Sequence, residues 1–221
     1  MDLTIILDPL SALIVVGGTL LAVLLRCGWA GTRAMAMAVA QLAGRKFDSE
    51  KMRADLAAQI REIDAEGLLR AEPHRFGDGE FDDLADALIH RRSIQALYDE
   101  HERHRQRRQA HTGAAVAALN SMAELAPVLG LVGTLLSLST LSVGGVSNAD
   151  YAQAIGTAVI TTLYGLLLAN FVASPLSAMV QRRAAAEETE RQRLLDWLAE
   201  NVSRATPRMP GAPAEAVRGA A

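Results

Sequence analysis

The sequence predicts an all-α membrane protein with three transmembrane helices, the N-terminus outside and the C-terminus inside, and a helical cytoplasmic domain. Three observations predict this. Charges are nearly absent from residues 3–25, 113–149 and 151–181, yet dense from 45 to 108 and from 182 to 204. The apolar stretches reach the roughly 17–25 residues that a helix needs to cross a hydrocarbon core. Every basic residue falls on one side of them.

The first span belongs to residues 1–28. Between Asp8 and Arg26 lie 17 uncharged residues, PLSALIVVGGTLLAVLL. Ile5 to Leu7 extend this stretch when Asp8 sits at the interface. No basic region precedes the apolar residues of MDLTIILDP, so the segment reads as a retained helix and not a secretory signal. The second span lies between Glu124 and Asp150, with 25 uncharged residues, and its helix starts well before the bilayer because Thr112 to Ala123 is also mild. The third lies between Asp150 and Arg182, with 31 uncharged residues. At ~1.5 Å per residue it is longer than a ~30 Å hydrocarbon core and projects into the cytoplasm. Residues 112–181 thus read as a transmembrane hairpin. Residues 26–111 carry 15 of the 22 Lys and Arg residues and the tail from 182 carries the other seven. The positive-inside rule makes that side cytoplasmic.

Residues 29–111 read as a helical cytoplasmic domain. Leu56, Ile60 and Ile63 recur at helical spacing, as do Phe81, Leu84, Ala85 and Leu88, then Ile94 and Leu97. Gly67 and the run Glu72 to Gly79 interrupt the pattern, and Asp78 is a natural cap for a helix beginning near Glu80. Residues 182–204 read as an amphipathic helix with Leu194, Leu195, Trp197 and Leu198 near one face. The Pro-rich tail 205–221 is expected to be disordered. The single cysteine, Cys27, excludes an internal disulfide framework.

The stretch Asp99–His111 reads either as a solvated face and positive anchor for the next span, or as a contact surface for protein or lipid phosphates. His101 and His104 suggest a metal pair, but Arg103, Arg105, Arg107 and Arg108 would repel a cation and no third ligand stands out, so no metal or cofactor is expected. Nucleic acid is not an expected partner. No catalytic nucleophile constellation or phosphate loop occurs, so an enzyme is not expected.

Neither hairpin helix has a carboxylate, His or Lys at its centre, although such a group is the usual mark of a proton relay. The hairpin is instead rich in small and hydroxyl residues. Gly130, Gly133 and Gly156 are candidates for close helix approach. Thr134, Ser137, Ser139 and Thr140 lie on one helix and Thr157, Thr161 and Thr162 on the next. A hydroxyl can serve a cation or a carboxylate, or it can bond back to its own helix.

Four stretches resemble the MotA/TolQ/ExbB proton-channel family, most nearly its flagellar motor A-subunit branch. They are Asp8-Pro9 with Ser11 to Thr19, the run Glu66-Gly67-Leu68-Leu69-Arg70-Ala71-Glu72, Ala126 to Leu135, and Thr161-Thr162-Leu163-Tyr164-Gly165 followed by Ala169-Asn170 and Pro175. The resemblance covers residues 8–200. It implies five copies in a ring around a single-span MotB/TolR/ExbD-like partner whose membrane aspartate carries the ion, H⁺ or Na⁺. It implies that Thr134 and Thr162 line the ion path, with Thr161 and Tyr164 in the same motif and Pro127 beside the path. Glu124 matches a position where some members carry an acid at the cytoplasmic mouth. Glu72, with Arg61 and Arg70, would contact a rotor or another partner. Two departures stand out. The A-subunits usually have four spans, and this chain starts at the second. Asp64-Ala65-Glu66 stands where a basic pair usually precedes the Gly-Leu-Leu motif.

The leading functional expectation is therefore a channel subunit of an ion-driven, stator-type rotary motor for flagellar-type motility. A TolQ/ExbB-like energiser of outer-membrane transport or envelope integrity is the alternative within the family. A non-conducting membrane scaffold is the alternative of another class.

Overall fold

The computed structural model describes residues 8–44, 47–66, 75–91, 93–139, 141 and 148–205. The Gly67–Glu72 part of the Gly-Leu-Leu motif, the outer turn 142–147 and the tail beyond Ala205 lie outside them, as does the side chain of Ile63. Among the described residues the elements are helical. They are α1 (Pro9–Ala12), a π-helical turn (Leu13–Gly17), α2 (Gly18–Leu42), α3 (Ser49–Glu66), α4 (Gly79–Arg91), α5 (Ile94–Ser139), α6 (Asn148–Leu167), a second π turn (Leu168–Ala173) and α7 (Ser174–Ala205). Among the described residues three helical stretches are long and apolar enough to cross a membrane, Leu13–Leu42, Ile94–Ser139 and Asn148–Ser203. Both hairpin helices extend well past their apolar cores, as their lengths predicted. The chain divides into a membrane unit, Met1–Gly44 with Ala110–Ala184, and a second unit, Arg45–Gln109 with Ala185–Ala221.

In the membrane unit the chain enters at Asp8, whose carboxylate accepts a hydrogen bond from the Ser11 hydroxyl. The path of α2 is broken at Gly28, with φ 69° and ψ 177°. That region is accessible essentially to glycine alone. A Cβ there would meet nothing within 4 Å, so backbone conformation and not space demands glycine. The segment after the break packs inward through Met35, which joins Val23, Ala118, Leu119, Met122, Ala173 and Val180 in one core. Arg183 closes the end of α2 by donating to the carbonyls of Leu42 (2.9 Å) and Gly44 (3.2 Å). Outward-facing Leu25 and Phe171 are each more than 60% exposed, a surface suited to lipid. Pro175 explains the second π turn: proline offers no N–H and crowds the carbonyl four residues back, and the wider turn relieves that crowding.

The second unit is built as the apolar spacing predicts. Met52, Leu56 and Ile60 from α3, Phe81, Leu84 and Leu88 from α4, Leu97 from α5, and Leu194, Leu195, Leu198 and Val202 from α7 form one core. Asp78 does cap α4, its carboxylate accepting from the Glu80 N–H at 3.1 Å. Glu80 is then carried into the interior with 4% exposure. Its carboxylate accepts from His101 Nδ1 (2.7 Å), Arg191 Nη1 (2.7 Å) and Arg108 Nη1. Arg191 also reaches Asp78 at 2.8 Å and Glu187 at 2.9 Å and lies over the Phe47 ring, 4.3 Å from its centroid. Burial by itself would raise the Glu80 carboxyl, but the His101 hydrogen bond and the charges of Arg108 and Arg191 hold it below its ordinary value. Asp78 is lowered likewise, burial being outweighed by Arg191. The same partners raise Arg191 against the effect of its own burial. Burial and the neighbouring Asp196 carboxylate raise the Tyr98 phenol.

Candidate ion path

The candidate site lies where α5 and α6 run side by side in the membrane unit. Their contact is a seam of small residues. A Cβ on Gly165 would sit 2.5 Å from the Ala126 carbonyl oxygen. One on Gly130 would sit 3.0 Å from the Thr161 carbonyl oxygen, and one on Gly133 2.8 Å from Thr161 Cβ. Backbones approach this closely only where side chains are absent. Gly156, grouped with the packing glycines from its sequence position, meets nothing within 4 Å. Gly165 takes that place, because it faces Ala126 and Gly130 whereas Gly156 turns away from the seam.

Beside the seam opens a shallow groove of about 490 Å³. Thr134 and Thr162 reach it from opposite helices, and Leu138, Ile155, Ala158, Val159, Leu163 and Leu166 complete its walls. None of these eight residues carries a titratable side chain. The Thr134 hydroxyl donates to the Leu131 carbonyl at 2.7 Å, and that of Thr162 to the Ala158 carbonyl at 3.4 Å. Each therefore bonds back to its own helix while its oxygen lone pairs stay available toward the groove.

Thr161 is placed differently. It is 1% exposed, donates to the Ala158 carbonyl at 2.8 Å and packs against Gly133, so it belongs to the seam and not to the groove wall. Tyr164 is half-buried three residues further along α6. Pro127 lies inside α5, seven residues toward the cytoplasm from Thr134. It leaves the Ala123 carbonyl without its usual helical donor. Glu124, three residues earlier, accepts a hydrogen bond from Arg26 Nη1 at 2.8 Å. That pairing joins residues 98 apart in sequence and was not anticipated; only the apposition of α2 and α5 reveals it. In the second unit, Arg61 is exposed and donates from Nε to the Ala57 carbonyl of its own helix, while Arg70 and Glu72 fall outside the described residues. His101 is committed to Glu80, and His104 pairs instead with Asp83 at 2.8 Å. Asp83 and Glu100 bring their oxygens close to His104, a juxtaposition that sequence spacing did not disclose, with Arg103 already bound to Glu100.

The sequence profile of the MotA/TolQ/ExbB proton channel family matches residues 72–193. The chain belongs to the MotA/TolQ/ExbB proton channel family. The matched stretch contains the whole groove, Pro127 and Glu124. Membership makes this a multi-pass membrane channel protein and not an enzyme. The fold is that of two solved structures. One, described as the flagellar MotAB stator complex from Bacillus subtilis, aligns with a TM-score of 0.80 at 17% identity, over 91% of this chain and 81% of that one. The other, MotAB of C. jejuni, aligns with a TM-score of 0.72 at 16% identity, over 96% of this chain and 100% of that one. No curated protein sequence matches the chain.

Proposed function

We propose that this chain is the channel-forming subunit of an ion-driven, stator-type rotary motor of the bacterial inner membrane. Copies form a ring, five by family resemblance, around a single-span partner that brings the ion-carrying aspartate. The observation that carries this reading is the groove: two hydroxyls from adjacent helices, apolar walls and no acid of its own.

The chemistry follows from the hydroxyls. A protonated partner carboxyl can donate to the lone pairs of Thr134 or Thr162 without disturbing their own back-bonds. Once the proton leaves, each hydroxyl can rotate away from its helix carbonyl and donate to the carboxylate. The groove thus tolerates both charge states of the partner acid in an otherwise apolar wall. Hydroxyl oxygens could also coordinate Na⁺. In this reading Pro127 shapes the path below the threonines, Tyr164 supports the α6 motif, Glu124 marks the cytoplasmic mouth, and Thr161 acts through the seam. Glu72, Arg61 and Arg70 are the positions for a load contact. Asp64-Ala65-Glu66, in place of a basic pair, favours an alternative load, energised envelope transport or integrity, on the same channel.

The test is co-purification with the product of the neighbouring gene, followed by ion flux in vesicles. Several copies around a single-span partner, with flux abolished by Thr134→Ala and Thr162→Ala, support the reading. A lone chain that neither binds a partner nor conducts refutes it, and unaltered function in both variants points to the scaffold.

A further inference from the structure

Arg26 has a place in the structure that the ion path above does not use. It ends the apolar run of α2, two residues before the break at Gly28. Its guanidinium meets Glu124, the sole Asp, Glu, Lys or Arg among residues 112–149. Residues 151–181 add none. Glu124 is therefore the one fixed-charge side chain that the hairpin places along its inner half.

The pair is held by packing. Val23, one turn earlier on α2, shares a core with Leu119 and Met122 of α5. Cys27 Sγ lies 3.6 Å from Ser121 Oγ. Glu124 stands ten residues from Thr134, roughly 15 Å along α5 and about 80° around it. It lies on the exposed half of α5 with Asn120, Val128, Leu131 and Leu135. The side chains of Arg26 and Glu124 remain 53% and 62% exposed. An ion pair this open contributes little to stability, so removing it changes charge more than fold.

A carboxylate alone at the cytoplasmic end of an ion path is an attractive ligand for a hard metal cation. A guanidinium on one of its oxygens cancels that charge and repels the cation. A proton needs no coordination shell and can pass through hydroxyls, water or a transiently protonated carboxyl. We propose that Arg26 is a specificity-determining residue: by holding Glu124 in a neutral pair at the inner end of the path, it excludes Na⁺ and leaves the path to protons. This rests on the channel reading above.

The experiment uses the full chain, captured from native membranes with its co-purifying partner and reconstituted into vesicles, with H⁺ and Na⁺ uptake measured separately. The wild-type complex carries H⁺, with Na⁺ at background. Arg26→Gln raises Na⁺ uptake about tenfold or more, the scale set by an uncompensated charge at close range. Arg26→Lys keeps the wild-type ratio, and Arg26→Gln combined with Glu124→Gln returns Na⁺ to background. Arg26→Ala gives the same result as Arg26→Gln and serves if the glutamine variant fails to assemble. Proton flux with Na⁺ still at background in Arg26→Gln and Arg26→Ala overturns the proposal, as does Na⁺ flux that survives the Glu124→Gln change. A wild-type complex that carries Na⁺ overturns it while leaving the channel reading intact, and no flux of either ion overturns both.

Discussion

In the membrane unit, α5 and α6 meet through Gly130, Gly133 and Gly165, with the back-bonded Thr161 between them. In the second unit, α4, α5 and α7 meet around Glu80, His101, Arg108 and Arg191, charged or polar groups drawn into a core of leucines. The solvent explains the difference. In lipid there is no hydrophobic drive between helices, so contact depends on close backbone approach and local polar satisfaction. In water the apolar core forms first, and a buried carboxylate is tolerated only when several donors surround it. One unit is therefore sensitive to added volume and the other to removed charge.

Five substitutions, two control substitutions and one titration separate these two modes. The largest effect is expected from Arg191→Ala. It leaves Glu80 and Asp78 without their shared cation and should cost the second unit about 3–5 kcal/mol, the scale for breaking a buried pair from one side. Denaturation followed through Trp197 in a Trp29→Phe background reads it, because the protein has two tryptophans and Trp197 packs against that unit's core. A loss under 1 kcal/mol would show that water reaches the network. Next is Gly165→Val. Its Cβ has backbone and not a flexible side chain in its way, so the helices must part, at a cost of about 3 kcal/mol in the upper range for overpacking. Detergent stability of the purified complex measures it, and Gly156→Val, with open space around it, should be nearly silent.

Gly28→Ala comes third, at about 1–3 kcal/mol of backbone strain with no clash to relieve. It should act on the membrane unit and leave the Trp197 signal unchanged. Acid then probes the second unit. The carboxyls of Asp78 and Glu80 titrate lower folded than unfolded. Their contribution is present above the ordinary carboxylate range near pH ~4 and is lost as pH falls through the lowered folded values. Trp197 fluorescence should report that loss, and Glu80→Gln should flatten it. The smallest effect on stability is expected from Thr134→Ala and Thr162→Ala, under about 1 kcal/mol each, because each hydroxyl bonds only to its own helix. Ion flux should nevertheless fall to background. A variant that loses stability and flux together would reassign that threonine from the groove to the seam, where Thr161 already lies.

Much of this was legible in the sequence. Span number, orientation and the helical nature of both units follow from run lengths and the placement of arginine and lysine, properties that add up residue by residue. So do the faces of α3, α4 and α7, where Leu56, Leu84 and Leu195 sit at the expected spacing and are buried. The cap at Asp78 was readable because capping is local. What only the tertiary structure decided is which residues meet across helices: Gly165 in place of Gly156, Thr161 in the seam while Thr134 and Thr162 share a groove, Glu80 among two arginines, and Arg26 on Glu124. Helical periodicity gives each residue a face, but the rotation and register of one helix against another come from packing many side chains at once. The absence of an acid from the hairpin's centre could be read from the amino acids alone, whereas the hydroxyl-lined groove proposed to receive one exists only where α5 and α6 are in contact.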